Sequence, residues 1–178
     1  MTSRPTLVIC MGVSGSGKST VAKTLSATCD IALLDADMYH SEANKALMRR
    51  GVALTNEQRI PWMLKVCDAL REVSADNAHC VLAHSALQRQ HRDQLRATGF
   101  DTLFVWLDGD KPLIEQRMQA RSGHFMPAKL LDTQYATLQL PDDEADVIAL
   151  NVADTPQQLA SQIVAKVDAL QVLARESA

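Results

Sequence analysis

Residues Met11–Thr20 read "MGVSGSGKST". The spacing Gly12-x4-Gly17-Lys18-Ser19 fits the phosphate-cradling pattern G-x-x-x-x-G-K-[ST]. Glycine lets successive backbone N–H groups turn inward around an anion, where a Cβ would obstruct them. Lys18 then reaches the β- and γ-phosphates of a nucleotide, and the Ser19 hydroxyl ligates Mg²⁺. A Gly/Ser turn could match by chance, so the flanks matter. "TLVIC" before the loop is a short apolar, β-branched run suited to a buried strand, and "STVAKTLSATC" after it has a helical pattern. Strand, glycine loop and helix in that order specify a nucleotide-binding P-loop.

Working outward, four more strand candidates follow: "IALLD" (31–35), "CVLAH" (80–84), "TLFVWL" (102–107) and "DVIALNV" (146–152). Each is short, apolar and bounded by polar segments, as expected of strands buried on both faces of a parallel sheet. Helical patterns separate them, which predicts an α/β fold with a five-stranded parallel sheet flanked by helices. The last helix carries its own start signal, Thr155 as N-cap and Pro156 at the first helical position. Leu159, Ile163, Val167, Leu170 and Ala174 then give one packing face. Two intervals are too long for simple crossovers. Residues 38–77 are expected to form an acceptor-binding insertion, with two helices around the loop "RRGVALTNEQRIP", and residues about 117–144 a lid.

The chain has 178 residues, the length of one domain with a real core. Hydrophobic residues make up 47% and charged ones 22%, and the net charge of −3 offers no footprint for nucleic acid or an anionic membrane. Cys10, Cys29, Cys67 and Cys80 form no C-x-x-C pair and read as reduced, buried thiols of a cytoplasmic protein. No stretch approaches the ~20 apolar residues of a membrane span, and no room for a signal peptide precedes the loop. The five histidines show no zinc spacing.

"LLDADMYH" ends the second strand with Asp35, Asp37 and His40. Transfer of a phosphoryl group to a hydroxyl benefits from a carboxylate that takes the hydroxyl proton, and Asp37 is suited to that role. Asp35 can instead orient the magnesium waters. Either could also simply cap the next helix.

With these residues in view, the chain resembles the gluconate kinases, small P-loop kinases of sugar acids. "MGVSGSGKST", "LLDADMYH", "RIPWM", "HSALQRQHRDQLR", "RSGHFM" and "TQYATLQLP" occur in that family's order and spacing, from Leu7 to about Leu170. The resemblance implies a fold like that of nucleoside-monophosphate and shikimate kinases and ATP- and Mg²⁺-dependent phosphorylation of gluconate to 6-phosphogluconate, usually by a homodimer. It implies that Gly12, Ser14, Gly15, Ser16, Gly17, Lys18, Ser19 and Thr20 hold the ATP phosphates and magnesium. It also implies that Asp37 is the base and that His40, Arg59, Ser85, Arg92 and His124 lie on the acceptor side. A sugar acid needs cations for its carboxylate and polar partners for its hydroxyls. Trp62 reads as packing of the acceptor lobe. Where the family has Gly between the two aspartates, Pro after the histidine and Lys after Ser-Ala-Leu, this chain has Ala36, Ser41 and Gln88. A kinase for another sugar acid or a polyol, and a nucleotide-dependent switch without acceptor, are the alternatives. In "EQRMQARSGHF", Arg117 and Arg121 lie four apart, a spacing that places both on one helix face. They are expected to close over the ATP phosphates, with Gly123 as hinge and His124 and Phe125 sealing the site.

Overall fold

The computed structural model describes residues 4–120 and 129–168. Five strands form one sheet: β1 (Thr6–Met11), β2 (Ala32–Asp35), β3 (Cys80–Ala83), β4 (Asp101–Asp108) and β5 (Val147–Asn151). Their order is β2-β3-β1-β4-β5, and every pairing is parallel. The strands fall where the apolar runs place them. All six residues of β1 are buried because it occupies the centre of a sheet covered on both faces. Alternation along β1 then divides the core. Val8 and Cys10 pack with Val21 and Leu25 of α1 (Lys18–Cys29) and Ile163 of α7 (Pro156–Val164). Leu7, Ile9 and Met11 pack on the opposite face with Trp62, Val66 and Leu70 of α3 (Asn56–Ala75) and Leu95 of α4 (Arg89–Arg96).

Helix α7 begins as its sequence requires. Thr155 accepts from the Gln158 N–H, Gln158 accepts from the Thr155 N–H, and Pro156 follows at the first helical position. The interval after β2 holds a 3-10 turn (Ala36–Tyr39), α2 (Glu42–Arg49) and α3. Its loop is shorter than the sequence suggested. Asn56–Pro61 belong to α3, because Thr55 and Gln58 form a second capping box that starts the helix there. Pro61 is tolerated as the sixth helical residue at the cost of one backbone hydrogen bond. The remaining helices are α5 (Lys111–Gln119) and α6 (Lys129–Thr137). A smaller cluster of Val13, Leu87, Ile114, Met118 and Leu131 fastens the P-loop to both.

Candidate active site

The P-loop leaves the carboxyl end of β1, where helices do not cover the strand ends. Gly12, Gly15 and Gly17 have φ of 145°, 81° and 100°, a region that side chains disfavour. A Cβ on Gly12 would also lie 2.8 Å from Ser16 Oγ and 3.1 Å from the Leu107 carbonyl oxygen. Gly17 is the N-cap of α1 and supplies no side-chain acceptor, so the first-turn N–H groups face outward as an anion site. Lys18 Nζ donates to the Val13 carbonyl oxygen at 2.9 Å, bending the ammonium back over the loop. The Gly12 N–H donates to the Ser85 carbonyl oxygen at 3.2 Å, tying the loop to the end of β3.

Asp35, the last residue of β2, joins three elements. Its Oδ2 accepts from Ser19 Oγ at 2.7 Å, and its Oδ1 accepts from the Asp37 N–H at 3.0 Å. The carboxylate therefore holds the first turn of α1 against the 3-10 turn that carries Asp37. A hydroxyl and a carboxylate meeting beside a phosphate cradle are hard oxygen donors, the set that suits Mg²⁺.

Two openings flank the loop. One is lined by Ser14, Lys18, Asp37, His40, Arg59, Trp62, Ser85, Gln88 and His91, with Leu130, Thr133, Gln134 and Thr137 of α6 as a further wall. The other is lined by Gly15, Ser16, Gly17, Thr20, Arg117, Asp154 and Pro156. The P-loop is the partition between them, with Lys18 on the first side.

The first cleft rests on an aromatic stack. The His40 and His84 rings stack on Trp62 at centroid distances of 4.4 and 4.7 Å, with His91 edge-on. Trp62 Nε1 donates to the Ala36 carbonyl oxygen at 2.7 Å, which fixes the indole under the Asp37 turn. Burial, reinforced by the charges of Lys45 and Arg59, lowers the His40 pKa to about 4. Burial and the nearby Arg59 and Arg92 lower that of His91 to about 4. Burial likewise holds His84 well below the usual range. The Ala86 N–H donates to His84 Nδ1 at 2.8 Å, so the ring proton sits on Nε2, 3.2 Å from Met63 Sδ. All three rings are neutral at pH 7. His40 Nδ1 is buried with no hydrogen-bond partner among the described residues, which leaves a polar atom for a ligand hydroxyl.

A family model described as an AAA domain matches residues 7–141. The gluconokinase of Gluconobacter oxydans is 37% identical over 161 residues, covering 90% of this chain and 90% of that one. The chain belongs to the gluconokinase family. A solved gluconokinase structure from Sinorhizobium meliloti superposes with a TM-score of 0.79 at 34% identity, covering 98% of this chain and 97% of that one. The unliganded structure of a sugar kinase from Janibacter reaches a TM-score of 0.87 at 36% identity over 97% of this chain and 98% of that one. The protein is thus a kinase with a P-loop fold, and membership implies ATP as phosphoryl donor.

Within this gluconokinase-family site, Gly15, Ser16, Gly17 and Thr20 line the second opening, and Ser14, Lys18, Asp37, His40, Arg59 and Ser85 are brought together in the first. Burial lowers the Arg59 pKa, but a guanidinium stays charged. Arg92 departs from expectation. It is fully buried and absent from the cleft lining. Its Nε donates to both Glu144 oxygens (3.1 and 2.9 Å), and its other nitrogens donate to the Ala86, Leu87 and Gln139 carbonyl oxygens (2.9, 3.3 and 3.1 Å). The guanidinium is directed inward, holding the segment that carries Ser85 and Gln88. Arg117 Nη2 donates to the Val152 carbonyl oxygen at 2.6 Å and borders the second opening. Helix α5 ends at Gln119. Arg121, Gly123, His124 and Phe125 lie outside the described residues. His91 and Gln134 line the cleft without having been singled out in the sequence. Gln134 sits in the "TQYATLQLP" motif that carried part of the family resemblance, so a signal for it was present.

Proposed function

We propose that this chain transfers the γ-phosphoryl group of ATP to D-gluconate, producing 6-phosphogluconate and ADP, as a magnesium-dependent, cytoplasmic homodimer. The single observation behind this is the partition: a phosphate cradle with Lys18, and Asp37 in the adjoining cleft, bring a phosphoryl donor and a hydroxyl acceptor to opposite sides of one loop. The nucleotide phosphates bind the loop N–H groups and the N-terminus of α1. Ser19 and Asp35 would hold Mg²⁺, which when bound neutralises charge on the phosphate oxygens. Arg59 pairs with the acid's carboxylate, and the His40 Nδ1 and Ser85 hydroxyl meet its hydroxyl groups. Asp37 accepts the proton of the attacking terminal hydroxyl as the new P–O bond forms and the bond to ADP breaks. Lys18 stabilises charge on the phosphoryl oxygens in transit.

A second reading, a kinase for a related sugar acid or polyol, is favoured by Gln88. Among the described residues lining the cleft, Lys18 and Arg59 are the cations, and Gln88 is neutral. An ATP-turnover screen against a panel of sugar acids and polyols, with a no-acceptor control, tests both. Gluconate giving the highest kcat/KM supports the first reading, and preference for another acid or a polyol supports the second.

A further inference from the structure

Ser14 belongs to the phosphate cradle, yet it lines a different side of the loop from the residues after it. Ser14 lines the acceptor cleft with Lys18 and Asp37, whereas Gly15, Ser16 and Gly17 line the nucleotide-side groove. The Ser14 N–H is already engaged: it donates to Gln134 Oε1 at 2.6 Å, across 120 residues of sequence. A backbone N–H requires an acceptor, so the amide orientation of Gln134 is fixed by this bond. The helix behind it is firmly seated. Leu131 of α6 is buried beside Val13 of the loop, Tyr135 Oη donates to the Gly109 carbonyl oxygen at 3.2 Å, and the Gln139 N–H donates to the Leu87 carbonyl oxygen at 2.8 Å. The same helix supplies Thr133 and Thr137 to the cleft wall.

We propose that Gln134 is a stand-in for the γ-phosphate, its side-chain carbonyl occupying the Ser14 N–H until an ATP oxygen displaces it. This rests on ATP being the donor and is independent of which acid is the acceptor. A neutral amide carbonyl satisfies the N–H while the site is without nucleotide, which an unpaired buried donor would not allow. A phosphate oxygen is anionic and makes the stronger, charge-assisted bond, so it wins the exchange. ADP has no γ-phosphate and leaves the contact in place. Helix α6 thereby distinguishes ATP from ADP.

The test is calorimetric binding of a non-hydrolysable ATP analogue and of ADP, each with magnesium, to the full-length enzyme and to its Gln134→Ala and Gln134→Glu variants. Gln134→Ala removes the competitor, so the analogue binds about three- to tenfold tighter while ADP binding is unchanged. Gln134→Glu keeps an acceptor for the Ser14 N–H, so the loop remains satisfied, but its charge opposes the γ-phosphate. The analogue then binds about tenfold or more weakly relative to ADP. Melting temperatures of both variants verify that they are folded. An analogue-to-ADP affinity ratio that stays the same in all three proteins overturns the proposal, since a purely structural role would move both nucleotides together or neither. Absence of binding of either nucleotide to the unmodified enzyme would instead overturn the kinase reading and this inference with it.

Discussion

Replacing Arg92 by alanine separates two roles for a residue whose sequence pointed to the acceptor and whose placement points inward. The substitution leaves the Glu144 carboxylate, 3% exposed, with Arg96 as its remaining cationic partner, and strips donors from the Ala86, Leu87 and Gln139 carbonyls. Truncating one member of a buried ion pair costs about 3–5 kcal/mol. At about 2–4 °C per kcal/mol for a chain of this size, the melting temperature should fall by about 6–20 °C. Arg92→Lys keeps the charge but cannot serve so many acceptors, so its loss should be intermediate. The assay is thermal denaturation paired with steady-state kinetics at 20 °C, where the folded fraction can be measured and corrected for. Per folded molecule, KM for the acid should rise less than about tenfold, through loosening of the segment bearing Ser85 and Gln88. A variant with unchanged melting temperature and a KM raised about a hundredfold or more would place the guanidinium on the substrate and refute the inward reading.

Asp37→Asn keeps the size of the side chain and loses the proton acceptor, so kcat should fall by about 10²–10⁴ with ATP affinity retained, whereas Lys18→Ala should weaken both. Near-normal turnover of Asp37→Asn would remove it as base. The neutral histidine stack makes stability pH-dependent. The folded pKa values of His40 and His91, about 4, lie below the ordinary 6.5, so the unfolded chain binds more protons between those limits. Stability is full above pH 6.5 and declines toward pH 4, by up to about 3 kcal/mol per ring. Urea midpoints measured across that range should show the decline and a shallower one for His40→Gln; identical slopes would exclude the ring. Gln88→Lys should add a charge-assisted contact and lower KM for gluconate by about tenfold or more, and a raised KM with preference for another acid would favour the second reading.

The parts of the fold that were legible in the sequence are those set by local chemistry. The strand–glycine loop–helix unit, the five apolar strands and the Thr155–Pro156 helix start each declare themselves within a dozen residues. The start of α3 was equally local. Thr55 and Gln58 are spaced as a capping box, but Pro61 and the preceding polar run disguised it as a loop. What could not be read is contact across the chain. Arg92 and Glu144 are 52 residues apart, Ser14 and Gln134 are 120 apart, and no periodicity links either pair. The stack of His40, Trp62 and His84 likewise depends on the packing of α3 beneath the ends of β2 and β3. Composition shows that histidines exist, whereas only packing makes them neutral and aligned. For the same reason Arg59 and Arg92 look alike in sequence, yet one lines the cleft and the other is sealed behind it.

In the proposed function, the loop separates a nucleotide from a sugar acid and passes one phosphoryl group between them. Incubating the enzyme with γ-labelled ATP, magnesium and gluconate, then following the label by ³¹P NMR and mass spectrometry, tests this directly. The label should move to the terminal oxygen of gluconate, one per ADP formed, with negligible ADP when gluconate is omitted and with the transfer lost in Asp37→Asn. Label appearing as free phosphate at the same rate with and without gluconate would contradict it.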